Sequence, residues 1–234
     1  MENLLLIINY IGIVSFAAAG AMIAIDHETD LFGVVLLSVI TCFGGGMLRD
    51  VIAGQAIGRT IPAFFTDMNA DIVICIVTTL AVFVIAALFK KKYIEKEAAV
   101  DRINNVLDAL GIGVFAAAGT GAYLEVSPLV AIIMGLLSSI GGSIIRDIML
   151  NSVPFVLRKR IYAVAILAGS SVYYVIEKII MPNTKSSDVV ATVACIFVIF
   201  TIRMCATAFK WNMPKAIRFS ELRAEESERE TVTK

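Results

Sequence analysis

Histidine is almost missing from this chain. His27 is the only one in 234 residues, so a multi-histidine metal centre is excluded and a solvated loop residue is the expectation for it. Net charge is also missing, because 20 Lys and Arg balance 20 Asp and Glu, and no global field points to nucleic acid. The four cysteines, Cys42, Cys75, Cys195 and Cys205, all fall inside apolar runs and lack metal-ligand spacing. They read as small hydrophobic fillers. There is no P-loop, dinucleotide fingerprint, zinc-protease motif or nucleophile–base pair, so the sequence offers no support for an enzyme and requires no cofactor. The N-terminal Met1-Glu2-Asn3 carries no basic region of the kind that opens a secretory signal. The first helix is therefore expected to be retained.

What the chain has in excess is apolar surface. It is 59% hydrophobic, and its mean hydropathy is +0.86. Soluble domains hold about 45–50% apolar residues. The excess falls in runs at about 4–25, 31–52, 71–89, 104–124, 128–150, 161–181 and 188–209. Each is long enough for a helix to cross ~30 Å of hydrocarbon. The fold class expected is all-α, with seven transmembrane helices. The polar stretch Ser220 to Lys234, with five Glu and three Lys or Arg, reads as a solvated tail.

Lysine and arginine set the orientation. Lys90, Lys91, Lys92, Lys96 and Arg102, then Arg158, Lys159 and Arg160, then Lys210, Lys215 and Arg218 all fall on one side of a seven-span chain. The other side receives Arg59, Lys178 and Lys185. This places the C-terminus in the cytoplasm and the N-terminus outside a plasma (inner) membrane. Trp211, Met213, Ile217 and Phe219, set among the last basic residues, suggest a short interfacial segment.

The chain repeats itself. Phe16-Ala17-Ala18-Ala19-Gly20 recurs as Phe115-Ala116-Ala117-Ala118-Gly119, with Gly12 and Gly111 at the same offset. Gly44-Gly45-Gly46-Met47-Leu48-Arg49-Asp50 recurs as Gly141-Gly142-Ser143-Ile144-Ile145-Arg146-Asp147, and Pro62 and Pro154 follow at unequal distances. Two blocks in the same order at nearly constant offset mark a duplication. Three spans per copy force the copies into opposite orientations, the inverted repeat of many transport proteins. The expected organisation is residues 1–89 and 104–181 as the two three-helix repeats, 90–103 as a basic cytoplasmic linker, 182–209 as a seventh helix and 210–234 as a cytoplasmic tail.

Two features within the spans could carry function. Glycine lowers helix stability by ~1 kcal/mol each relative to alanine. Gly44, Gly45 and Gly46, and Gly141, Gly142 and Ser143, therefore invite a kink or local unwinding with carbonyls turned to a cavity. The other reading is close helix packing through small residues. The second feature is the ionised pair in each repeat, Arg49-Asp50 and Arg146-Asp147, in a setting where a charge costs ~2.5–3.5 kcal/mol on insertion scales. Neighbouring residues on a helix do not face one another. Each Arg is therefore expected to pair across the repeat interface, Arg49 with Asp147 and Arg146 with Asp50, or with a neighbouring subunit. Either the pairs hold the helices together or they line a gate. Asn9 aligns with Asp108 and Thr41 with Ser138, adding matched polar positions on the first, second, fourth and fifth helices. Asp108 reads as a cation-concentrating or solvated helix-start residue, and Arg203 as an arginine snorkelling to the interface.

The two glycine–arginine–aspartate blocks, with Asn151-Ser152-Val153-Pro154-Phe155-Val156-Leu157-Arg158 after the second, resemble the duplicated domain of the trimeric intracellular cation channel family over roughly residues 5–205. Some bacterial members of that family are described as glycine transporters. The resemblance implies a 3+3 inverted repeat plus a seventh helix and a homotrimer. It also implies a pore in each protomer through helices 1, 2, 4 and 5, kinked at the glycines and passing monovalent cations such as K+ or Na+. Partners would be other copies of the chain, membrane lipids and the permeant cations, with no nucleic acid. Ser143 in place of a third glycine, and the longer loop after Asp50, depart from the pattern. A passive cation channel is the leading expectation. The alternative is a secondary transporter for a small zwitterion such as glycine, with Arg holding its carboxylate and Asp its ammonium. A purely structural or assembly role is the third reading.

Overall fold

A computed structural model describes residues 2–66, 69–158, 161–182, 184 and 186–211. Among them there are helices and turns and no strand. The elements are α1 (Glu2–Asp26), α2 (Leu31–Ala53), α3 (Asn69–Leu88), α4 (Lys90–Glu95), α5 (Glu97–Ala122), α6 (Pro128–Met149), α7 (Phe155–Arg158), α8 (Ala163–Val175) and α9 (Ser187–Ala208). α8 runs on into a π-helical turn, Ile176–Ile180. Seven of these stretches are long and apolar enough to span a membrane: those of α1, α2, α3, α5, α6, α8 with its π turn, and α9.

Local chemistry sets several of the ends. Asp30 caps α2 by accepting from the Gly33 N–H at 2.8 Å. Ser127 caps α6 by accepting from Val130, and Pro128 fills the first helical position, where a missing N–H costs nothing. The basic linker is itself largely helical, forming α4 and the first turns of α5. The fourth membrane helix thus begins at Glu97, earlier than the apolar pattern suggests. Tyr93 of α4 donates to Asp26 at 3.2 Å and ties the linker to the end of α1. Burial and the Asp26 charge push its phenol well above the ordinary range, so it remains a donor.

α1, α2, α5 and α6 form the centre. Ile13, Phe16, Ala17, Ile112, Phe115, Ala116 and Ala117 fill its core, and the alanines let α1 and α5 approach closely. Phe16 and Phe115, equivalent in the two repeats, stack with ring centroids 5.1 Å apart. α3, α8 and α9 lie outside. α3 leaves Val73, Val77, Val84, Ile85 and Leu88 exposed, a face suited to lipid or to another apolar surface.

α2 and α6 cross at their glycines, and the crossing is reciprocal. A Cβ on Gly44 would lie 3.1 Å from the Gly142 Cα, and one on Gly141 would lie 2.9 Å from the Gly45 Cα. A Cβ on Gly45 would strike the Ser138 carbonyl, and one on Gly142 the carbonyls of Ile40 and Thr41. Thr41 and Ser138 are themselves an equivalent pair, so the repeats meet about a pseudo-two-fold axis. Helical structure runs unbroken through both glycine blocks. The expected unwinding is therefore absent: the neighbouring carbonyls face the opposite backbone, which leaves no room for an ion there.

Candidate functional site

Above and below the glycine crossing the two repeats build matching polar half-sites. In the first, the Arg49 side chain folds back onto the next residue. Its Nε donates to Asp50 Oδ1 at 2.8 Å and its Nη2 lies 2.6 Å from the same oxygen. In the second, Arg146 Nε and Nη2 donate to Asp147 Oδ1 at 2.9 and 2.8 Å. All four residues are buried, with Arg146 only 2% exposed. This overturns the expected pairing across the repeats. The spacing rule concerns where side chains leave the helix, and the arginine stem is long enough to turn back to its neighbour.

The aspartates do more than neutralise. Asp50 Oδ2 accepts from the backbone N–H of Ala63 at 3.0 Å, and Asp147 Oδ2 accepts from that of Phe155 at 2.8 Å. Ala63 follows Pro62 and Phe155 follows Pro154. In each repeat the carboxylate thus holds the start of the short helical turn that leads the chain back toward the membrane. The two prolines after the Arg-Asp pairs were the sequence signal for this contact, masked by the unequal loop lengths.

Each of the two arginines borders a cavity. The first, about 70 Å³, is lined by Asn9, Gly46, Arg49, Asp50, Phe115 and Ser138 among others. The second, about 230 Å³, includes Asp108, Asn105, Arg146, Phe155, Tyr162 and Arg203. They share no lining residue. Arg49 does reach across the repeats, through its Nη1 to Ser138 Oγ at 3.3 Å, and lies 6.0 Å from the Tyr123 ring centroid. Thr41 donates to Leu37 O within its own helix, and Ser143 donates to Ile140 O. Gly46, the counterpart of Ser143, has open space at its Cβ apart from Arg49 Nη2 at 3.9 Å. The serine therefore departs from the glycine pattern at the one position in each block where a side chain fits.

The halves differ at Asn9 and Asp108. Asn9 donates weakly to Asp71, at 3.4 and 3.5 Å. Asp108 is buried. It accepts from the Tyr162 hydroxyl at 3.1 Å and forms an ion pair with Arg203 at 2.8 Å. Asp108 is therefore not a solvated helix-start residue, because α5 begins eleven positions earlier, at Glu97. Nor does Arg203 snorkel. It is 4% exposed, with its Cζ 4.1 Å from the Tyr162 ring centroid. Tyr162 and Asn105 were missed in the sequence because they lie outside both repeat blocks, and Phe155 was read only as part of the motif that follows the second block. Trp211 is exposed and stacks on Phe209, while Met213, Ile217 and Phe219 of the interfacial segment lie outside the described residues. No group of three or more metal-ligating side chains occurs among the described residues.

The fold and its paired half-sites define a duplicated, seven-helix membrane protein with the architecture of TRIC channels. One structure of a TRIC cation channel, solved to explain conductance, is 29% identical, with a TM-score of 0.74 over 91% of this chain and 97% of that one. A trimeric intracellular cation channel orthologue from Rhodobacter sphaeroides is 27% identical, with a TM-score of 0.72 over 88% and 98%. These neighbours are ion channels, not enzymes. The chain belongs to the family described as Glycine transporter, whose model matches residues 6–87 and 105–178. Relatives include the UPF0126 inner membrane protein YadS of Escherichia coli K12, 32% identical over 71% of this chain and 75% of its own length. The UPF0126 membrane protein YvgT of Bacillus subtilis is 30% identical over 89% and 94%. The seven apolar helices and these relatives make the chain an integral membrane protein.

Proposed function

We propose that this protein is a passive channel for monovalent cations, permeable to K+, that works as a homotrimer with a pore in each protomer between α1, α2, α5 and α6. The observation that carries the reading is the neutralisation of the intramembrane arginines. A cation path does not tolerate bare guanidinium, and Arg49, Arg146 and Arg203 each have an aspartate within 2.8 Å. Two polar half-cavities at opposite ends of a glycine crossing, in a fold shared with TRIC cation channels, support the same reading. Conduction requires the crossing to loosen enough to join the two cavities. The glycines favour this, since backbone-to-backbone contact leaves no interlocked side chains to undo. The basic linker side is taken as cytoplasmic.

The family description favours a second reading, carrier transport of glycine. Purified protein in liposomes separates the two. A channel gives K+ flux down its gradient, independent of glycine and without saturation at low concentration. A carrier gives saturable glycine counterflow, each turnover needing a conformational change on the microsecond-to-second scale. Glycine counterflow without K+ flux would rule out the channel.

A further inference from the structure

The seventh membrane helix stands outside the duplication, yet it puts one charged side chain into the second half-site. Arg203 Nη2 donates to Asp108 Oδ2 at 2.8 Å and to Asn105 Oδ1 at 3.2 Å. The guanidinium lies over the Tyr162 ring, 4.1 Å from its centroid. A carboxylate, an amide oxygen and an aromatic face converging on one point form a cation site, with the oxygen donors and π face that hold a monovalent or organic cation. Here the site is filled by the protein's own side chain. In the first half-site Asn9 stands where Asp108 does, and the additional arginine there, Arg59, reaches Asp50 Oδ2 at 3.4 Å instead.

Arg203 also holds its aspartate through fewer atoms than its counterparts do. Arg49 and Arg146 each clamp their aspartate through both Nε and Nη2. Arg203 bonds Asp108 through Nη2 alone, and its Nε, like Nη1 of Arg146, is buried without a partner. Beside it lies the 230 Å³ cavity, with room for the side chain to move or for a cation to enter.

We propose that Arg203 is a tethered cation: its guanidinium occupies a cation site made by Asp108, Asn105 and Tyr162 and competes there with the permeant ion, holding the basic-linker end of the path shut. This rests on the cation-channel reading. When Arg203 swings aside, Asp108 is freed to draw cations into the cavity. When it returns, its guanidinium neutralises Asp108 and takes the place a permeant cation would occupy.

Chemical replacement of the guanidinium tests this. Arg203→Ala in liposomes should pass K+ several-fold faster than the wild type. Millimolar guanidinium chloride on the linker side should bring that flux back toward the wild-type level and raise the variant's thermal midpoint. The wild type should respond to neither, and Asp108→Asn added to Arg203→Ala should abolish both responses. Asn105→Ala is a milder variant that keeps both charges and removes one acceptor holding Nη2. It should also raise K+ flux. A folded Arg203→Ala protein whose flux and midpoint ignore guanidinium would overturn the proposal, as would Asn105→Ala with unchanged flux. If no variant passes K+ at all, the channel reading fails, and the guanidinium-dependent midpoint of Arg203→Ala alone decides whether the cation site exists.

Discussion

Three consecutive glycines in α2 do different jobs. Gly45 lies so close to the α6 backbone that any side chain collides with the Ser138 carbonyl, an atom that cannot move away cheaply. Gly46 faces the smaller cavity with space to spare. Gly45→Ala should therefore destabilise by the ~1–3 kcal/mol typical of overpacking. Gly46→Ala should be neutral, or stabilising by up to ~1 kcal/mol from the helix preference of alanine. Thermal midpoints in mild detergent check the contrast, and equal effects would mean that the crossing is not as close as described. The charged residues allow a sharper test. Removing one partner of a buried pair costs ~3–5 kcal/mol. Arg146→Ala and Asp147→Ala should couple by roughly 0.5–3 kcal/mol in a double-mutant cycle, whereas Arg146→Ala and Asp50→Ala, which sit in opposite cavities, should add. Coupling of the second couple would restore pairing across the repeats.

At the level of elements, the inverted repeat makes a claim about sidedness. The turn containing Glu28, between α1 and α2, is equivalent to the turn containing Glu125, between α5 and α6. Both residues are exposed. In a cysteine-free background, Glu28→Cys and Glu125→Cys should react with an impermeant thiol reagent from opposite faces of the membrane. Labelling from the same face would contradict the inversion. Much of this architecture was legible in the sequence. Spans are a matter of apolar length, and the duplicated blocks marked Gly44, Gly45, Gly141 and Gly142 as equivalent, with close packing through small residues as one of their two readings. What stayed hidden depended on side-chain reach and on contacts across long separations. The fold-back of Arg49 onto Asp50 defeats a spacing rule. Arg203 meets Asp108 across 95 positions with no repeat to point to it. The early start of α5 was hidden because its first turns are polar, and the π turn at the end of α8 has no composition signal at all.

For the whole molecule, the proposed homotrimer would bury part of the apolar face that α3 leaves exposed. Native mass spectrometry from mild detergent should show three copies, and a stable monomer would count strongly against it. The central claim is that ions pass through each protomer between the two half-cavities, and recording unitary currents from the purified protein in a planar bilayer under a KCl gradient tests it most directly. The prediction is discrete openings that reverse on the cation side of zero and are unaffected by glycine. Gly46→Leu, which places bulk in the smaller cavity without touching the crossing, should reduce their amplitude while the protein still assembles. An anion-side reversal, currents of full size in Gly46→Leu, or a silent bilayer from protein that exchanges glycine in liposomes would contradict it.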